Sequence, residues 1–204
     1  MFPSVNLFVR ANPFTLLAAL VLALSWLGFV GILIIGKRGA AQKATRRDAK
    51  SHVGFLLQCC GYAIIAVFHR NDFSALLGHS RARDIVLLAA IVAITAASEW
   101  FCYAAARTLG KQWALVARVV QGHQLVQQGP YAVVRNPIYL AMLGNVVATA
   151  LTFGTWLSLA GAIAVFAVGT GIRIRSEENL LREAFGAEFE EYVRRVPGLF
   201  PRLI

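Results

Sequence analysis

The chain has 204 residues, of which 58% are hydrophobic and only 15% are charged. A soluble domain would carry about 25% charged residues, so this composition excludes an ordinary soluble protein and indicates a surface that faces lipid. The net charge of +10 would suit a nucleic-acid-binding protein. However, the basic residues lie between the apolar runs, where membrane topology explains them better, and no nucleic acid is expected as a partner.

Long apolar runs predict an all-α integral membrane protein that forms one membrane-embedded domain over residues 1–204. The first run is too long for the apolar core of a cleavable signal peptide. The last run is interrupted at Gly154 and would be too long for a single span, so it predicts a helical hairpin. The five predicted transmembrane helices cover residues 14–35, 53–68, 85–106, 138–153 and 155–174.

The positive charges around these segments predict their orientation. With five spans and the amino terminus outside, the inner segments 36–52, 107–137 and 173–204 hold 16 of the 20 Lys and Arg residues. Such an excess of positive charge marks the cytosolic side of a membrane. We therefore expect a multi-pass protein with a cytosolic carboxyl terminus, in a bacterial inner membrane or an equivalent membrane.

The polar tail after residue 174 has a helical pattern of its own. Ser176 precedes two acidic residues and is predicted to cap the start of a helix. Apolar side chains then recur at helical spacing, with charged side chains between them, until Pro197 ends the pattern. The tail is therefore predicted to form a cytosolic amphipathic helix on the bundle or on the membrane surface.

Few ionisable side chains occur where they could take part in chemistry. Arg173 and Glu177 are four residues apart, so one continuous helix would place both on one face. Either they anchor and cap the helix at the interface, or they line a pocket in which the arginine binds a carboxylate. Glu99 lies inside the third span, where a carboxylate is either functional or hydrogen-bonded to a neighbouring helix. No spacing of His, Cys or acidic residues predicts a metal site.

Residues 107–204 resemble a known family. The motifs that carry the resemblance are Gly122-His123-Gln124-Leu125-Val126, Gly129-Pro130-Tyr131, Arg135-Asn136-Pro137-Ile138-Tyr139 and Glu177-Glu178. In this order, they are similar to motifs of the isoprenylcysteine carboxyl methyltransferases and the related phospholipid N-methyltransferases. The first three spans resemble that family only in number and hydrophobicity.

The resemblance implies a membrane methyltransferase of class EC 2.1.1 that binds S-adenosylmethionine through residues 107–204. A lipophilic acceptor would enter from the bilayer, and membrane lipids would surround the enzyme, with no obligatory protein partner. Arg173 and Glu177 would be the catalytic residues. The residues implied to bind the cofactor are Gly122, His123, Leu125, Val126, Tyr131, Arg135, Asn136, Tyr139, Glu177 and Glu178.

The resemblance favours a carboxylate acceptor, as in prenylcysteine methyl-ester formation. A carboxylate is already nucleophilic, whereas an amine, phenol or thiol would need a base. A phospholipid amine is an alternative acceptor, as is another small hydrophobic O or S nucleophile. A sterol-type membrane reductase and a non-catalytic scaffold are more remote alternatives. Asn136 departs from the Arg-His-Pro sequence common among prenylcysteine enzymes, and its amide cannot act as a base.

Overall fold

The computed structural model describes residues 12–39, 44–47, 50–110, 118–120 and 125–201. Within these ranges the chain is predominantly helical, as predicted. Two short 3-10 helices, Phe73–Ala75 and Gly129–Ala132, lie in the connections. The α-helices are α1 (Pro13–Gly39), α2 (Lys50–Val67), α3 (Arg81–Leu109), α4 (Pro137–Phe153), α5 (Trp156–Phe185) and α6 (Ala187–Arg195).

Three helices of the described chain are long and apolar enough to cross a membrane, and they lie at Pro13–Ile32, Arg81–Leu109 and Trp156–Phe185. The helices α2 and α4 are apolar but shorter, with 18 and 17 residues. Large apolar side chains face outward, since Leu27 is 70% exposed and Leu157 is 78% exposed. The structure therefore confirms a helical membrane protein, while the count of five spans stays a prediction.

Each predicted span corresponds to one helix, but the predicted cap at Ser176 is wrong. Helix α5 continues without a break from Trp156 to Phe185, and Ser176 is buried within it. No proline or glycine lies between Gly171 and Gly186, and Gly186, which has a φ of +50°, ends the helix. The amphipathic tail helix is therefore only α6, and Arg173 and Glu177 share one continuous helix.

The turn between α4 and α5 confirms the predicted helical hairpin. Thr155 and Ser158 cap α5 reciprocally, each side chain accepting a hydrogen bond from the backbone N–H of the other. Arg70 donates to the carbonyls of Leu151, at 2.5 Å, and Gly154. Because the last carbonyls of a helix lack partners within it, Arg70 supplies the donors that the end of α4 needs.

Glycines allow two pairs of helices to approach closely. A Cβ at Gly54 of α2 would lie 2.6 Å from the carbonyl oxygen of Gly169 of α5. A Cβ at Gly144 of α4 would overlap Ser98 Oγ of α3. Helix association in a membrane relies on such close packing, because lipid removes the hydrophobic driving force between helices.

A polar cluster inside the bundle joins α1, α3 and α4. Ser25 Oγ lies 2.9 Å from Glu99 Oε1 and 3.2 Å from Asn145 Oδ1, within hydrogen-bond distance of both. Asn145 is fully buried. Of the two roles predicted for Glu99, this geometry matches the hydrogen bond to a neighbouring helix.

One short strand pair lies outside the helices. Strand β1 (Ala44–Arg47) pairs antiparallel with β2 (Arg118–Val120), and Arg47 lies opposite Arg118. The pairing joins the α1–α2 connection to the segment between α3 and α4. The sequence predicts no strand there, because segments of three or four residues are too short to show an alternating pattern.

Candidate functional site

The candidate site lies at the end of the bundle opposite the α4–α5 turn, and we call this the site end. The 3-10 helix Gly129–Ala132 packs on α3 there, and α6 packs on α5. Helix α4 begins at Pro137, directly after the polar turn at Arg135 and Asn136. The site end therefore gathers residues 125–136, which we call the polar stretch, with the charged part of α5.

Tyr139 connects α4 to α5 at the centre of the site end. Its Oη donates to Glu177 Oε1 at 2.5 Å, and the Arg173 guanidinium lies 5.1 Å from its ring centroid. Tyr139 and Arg173 are 6% and 5% exposed. The continuous α5 places Arg173 one helical turn from Glu177. A buried cation, a carboxylate and a phenol therefore meet in what we call the Tyr139 cluster.

Helix α2 also contacts Arg173. Gln58 Oε1 accepts a hydrogen bond from Arg173 Nη1 at 3.0 Å, and Gln58 Nε2 donates to Thr170 Oγ1 at 2.9 Å. The ring of Phe55, one turn before Gln58, has its centroid 5.8 Å from Arg173 Cζ. Gln58 was not predicted as a site residue, although a lone amide within an apolar helix needs a polar partner and could have drawn attention.

Arg135 and Glu178 form an ion pair beside the Tyr139 cluster. Arg135 Nε and Nη2 donate to Glu178 Oε1 at 3.0 and 2.8 Å, and both side chains are nearly buried, at 13% and 12% exposed. Arg135 Nη1 donates to the carbonyls of Val193, at 3.3 Å, and Val196. Arg135, which Glu178 of α5 orients, therefore holds the tail helix α6 against the start of α4.

The backbone of the same turn also binds the tail. The Arg135 N–H donates to the Pro197 carbonyl at 2.9 Å. Asn136 donates to the Gly198 carbonyl twice, from its N–H at 3.1 Å and from Nδ2 at 2.9 Å. The Asn136 side chain is therefore a donor to backbone, a role that its amide fulfils without any change of protonation.

Tyr131 and Tyr192 connect the polar stretch to α6. Tyr192 Oη donates to the Tyr131 carbonyl at 2.6 Å. Burial, followed by the nearby Glu177 carboxylate, raises the pKa of Tyr131 well above its usual value. Burial likewise raises the pKa of Tyr192 to about 12. Both phenols therefore stay protonated at neutral pH, and the Tyr192 phenol acts as a hydrogen-bond donor rather than a base.

The structure divides the other predicted site residues into two groups. Leu125 packs on the apolar face of α6, which Phe189 and Tyr192 form, and Val126 is partly buried next to it. Gly122 and His123 lie outside the described residues, so their predicted contacts with the cofactor stay predictions. In the described ranges, no group of three or more His, Cys, Asp or Glu side chains could hold a metal ion.

These observations define a helical membrane protein in which a buried arginine, a glutamate and a tyrosine meet at one end of the bundle. The model of the phospholipid methyltransferase family matches residues 86–188, half of the chain. The chain belongs to this family, and the resemblance of its carboxyl half is thereby confirmed. The matched region runs from α3 into α6 and contains both the Tyr139 cluster and the Arg135–Glu178 pair, whereas α2 lies outside it.

Three curated proteins are similar to parts of the chain. The nickel-cobalt-cadmium resistance protein NccN of Alcaligenes xylosoxydans xylosoxydans is 33% identical over 62% of this chain and 57% of its own length. The cobalt-zinc-cadmium resistance protein CzcN of Cupriavidus metallidurans is 39% identical over 47% of this chain and 44% of its own. The protein-S-isoprenylcysteine O-methyltransferase B of Arabidopsis thaliana is 32% identical over 39% of this chain and 40% of its own length. The chain thus spans about half the length of these relatives.

Proposed function

We propose that the protein is a membrane methyltransferase that uses S-adenosylmethionine and methylates a carboxylate on a lipophilic acceptor. The observation that carries this proposal is the Tyr139 cluster, in which Arg173 and Glu177 flank one tyrosine within the family-matched region. The similarity to an isoprenylcysteine methyltransferase supports the same class of acceptor.

The residues at the site end fit the chemistry of this cofactor. Its amino group needs a carboxylate partner, and Glu177 offers one that Tyr139 holds in place. Its adenine needs a mostly apolar wall, which Leu125, Val126 and the buried Tyr131 would supply. When bound, the cofactor supplies a methyl group on a sulfonium, which reacts by displacement with a nucleophile that is well aligned.

Arg173 is proposed to hold the acceptor. A guanidinium binds a carboxylate through two parallel hydrogen bonds, which orients the oxygen as well as neutralising its charge. Gln58 and the ring of Tyr139 contact this guanidinium. Because a carboxylate is nucleophilic in its ordinary charged form, the reaction would need alignment and no general base.

We also propose five spans, with the amino terminus outside and the site end in the cytosol of a bacterial inner membrane or an equivalent membrane. The support is the charge distribution, since the predicted inner segments 36–52, 107–137 and 173–204 contain 16 of the 20 basic residues. A water-soluble cofactor would then reach the site from the cytosol, while the acceptor would reach it from the bilayer.

A phospholipid amine is the second candidate acceptor. The family model that matches is described by phospholipid methylation. An amine must lose a proton before or during methylation, and the Glu177 carboxylate is the group of the Tyr139 cluster that could take it up. In that case Glu177 would act on the acceptor rather than on the cofactor.

Two measurements test the proposed function, and a third tests the alternative of a reductase. Titration calorimetry of the detergent-purified protein with S-adenosylhomocysteine should show saturable binding, and an absence of binding would refute cofactor use. Membranes that contain the protein should transfer a radiolabelled methyl group to a lipid-soluble product that mild base hydrolyses, as a methyl ester does. A base-stable product would instead indicate an amine, phenol or thiol acceptor. Oxidation of a nicotinamide with a sterol-like acceptor would favour a reductase.

A further inference from the structure

Helix α2 lies outside the family-matched segment, yet it forms one side of the Arg173 environment. The helices α2 and α5 meet where Gly54 faces Gly169. A Cβ at Gly54 would lie 2.5 Å from Arg173 Cγ, so the backbone of α2 touches the aliphatic part of that side chain. One side of the Arg173 side chain thus packs against a helix that the family model does not cover.

Gln58 holds the end of the same side chain. It is 1% exposed, and its two amide atoms have different partners, Arg173 at 3.0 Å and Thr170 at 2.9 Å. A guanidinium can only donate hydrogen bonds, so the amide oxygen must face Arg173 and the amide nitrogen must face Thr170. The orientation of Gln58 is therefore determined, and its amide oxygen fixes the position of Arg173 Nη1.

We infer that Gln58 is a positioning residue for the acceptor, because it holds the Arg173 guanidinium in the orientation that receives the acceptor's carboxylate. This inference rests on the proposed function and assigns part of the acceptor site to α2. Bidentate binding of a carboxylate depends on the plane of the guanidinium. A guanidinium that rotates freely must be ordered each time the acceptor binds, and this weakens binding without changing the reacting atoms.

Variants of Gln58 should therefore weaken binding of the methyl acceptor and leave binding of the cofactor unchanged. Gln58→Leu removes the hydrogen bond to Arg173 at nearly constant volume. Gln58→Glu keeps a hydrogen-bond acceptor on a side chain of the same length. It also adds a negative charge, which would pair with Arg173 and compete with the carboxylate of the methyl acceptor. The matched control is Thr170→Val, which removes the other partner of Gln58 and leaves the Gln58–Arg173 contact in place.

The experiment measures methyl transfer to an N-acetylated S-prenylcysteine with a free carboxylate, and to a native lipid extract titrated as the acceptor. For Gln58→Leu we expect KM for the acceptor to rise about tenfold to a hundredfold, the range of a lost hydrogen bond to a charged group. Gln58→Glu should also raise this KM, because its carboxylate pairs with Arg173 and competes with the carboxylate of the acceptor. The kcat should change less than about threefold, because binding that is equal in ground and transition states affects KM alone. Affinity for S-adenosylhomocysteine should stay at the wild-type value, and Thr170→Val should change KM by less than about threefold.

The outcomes separate this inference from the proposed function. If the wild-type protein binds no S-adenosylhomocysteine or methylates neither acceptor, the proposed function fails and the role of Gln58 falls with it. If the wild-type protein is active and Gln58→Leu keeps its KM, only the inference about Gln58 is overturned, whatever Gln58→Glu does. The inference also fails if cofactor affinity and KM deteriorate together, since that indicates a general structural role. Should Gln58→Leu not fold, Gln58→Met, which removes the same hydrogen bond with a flexible side chain of similar length, decides the question instead.

Discussion

The ion pair between Arg135 and Glu178 gives a quantitative prediction for the tail helix. Replacing Glu178 by Gln leaves one acceptor oxygen but removes the charge that faces a nearly buried guanidinium. Removing one partner of a buried pair costs about 3–5 kcal/mol. Because Gln still accepts a hydrogen bond, we expect the lower value, about 3 kcal/mol, which raises the equilibrium constant for release of α6 about a hundredfold.

Amide hydrogen exchange measures this release directly, because local opening sets the exchange rate of amides that are protected in the closed state. The amides of α6, Ala187–Arg195, should exchange about a hundredfold faster in Glu178→Gln than in the wild-type protein. Helix α6 should nevertheless stay docked most of the time, because Phe189 and Tyr192 remain buried against α5 and the polar stretch. Exchange in the middle of α3 should be unchanged.

The matched control is Glu191→Gln on α6 itself. Glu191 also pairs with arginines, Arg194 and Arg195, but its side chain is 51% exposed. Water and salt screen an exposed pair, so the control should leave α6 exchange at the wild-type rate. Equal exchange of α6 in Glu178→Gln, Glu191→Gln and the wild-type protein would refute the idea that the Arg135–Glu178 pair holds the tail.

Three further predictions concern the site and the packing of the bundle. Tyr139→Phe keeps the ring under Arg173 but removes the donor to Glu177, so affinity for S-adenosylhomocysteine should fall about tenfold by calorimetry; unchanged affinity would count against Glu177 as a cofactor ligand. Gly144→Ala should destabilise the protein by about 1–3 kcal/mol in detergent melts, because its Cβ would overlap Ser98. The control Gly171→Ala meets open space and should not destabilise the protein. Equal melting temperatures of the two variants would contradict the close approach of α3 and α4. The pKa of Tyr192, raised to about 12 in the folded state, means that the folded protein keeps a proton which the unfolded chain loses above pH 10. The contribution of Tyr192 to the free energy of unfolding is thus fully present below pH 10 and is lost as pH rises towards 12. Between pH 9 and pH 11, the melting temperature of Tyr192→Phe should therefore fall less than that of the wild-type protein.

Much of the architecture follows from local properties of the sequence. Each of the first three apolar runs predicted one helix, because a segment that crosses lipid must satisfy its own backbone hydrogen bonds within a helix. Gly154 and Thr155 marked the hairpin, since a break in an apolar run that is too long for one span indicates two helices joined by a turn. The order of the motifs in residues 107–204 was sufficient to indicate the family that the comparison confirms.

The capping signal at Ser176 misplaced the end of the fifth predicted span. Ser176 followed by two glutamates has the pattern of a helix start, yet the structure continues one helix through it. Capping residues favour a helix start only where the preceding chain is free to leave the helix, and here the preceding turns are packed against α2 through Gly169 and Thr170. Tertiary packing therefore outweighed the local preference, and it placed Arg173 and Glu177 on one face.

The partners of the polar residues depended on the tertiary structure alone. Gln58 and Arg173 are 115 positions apart, and Arg135 and Glu178 are 43 apart, so no periodicity of the sequence relates them. The sequence identified charged side chains that are costly to leave in an apolar bundle, such as Arg173 and Glu99, because charge is a property of a single residue. The tertiary structure decided which side chains bind one another. The close approach of α2 to α5 and the packing of the tail on the start of α4 bring these partners together.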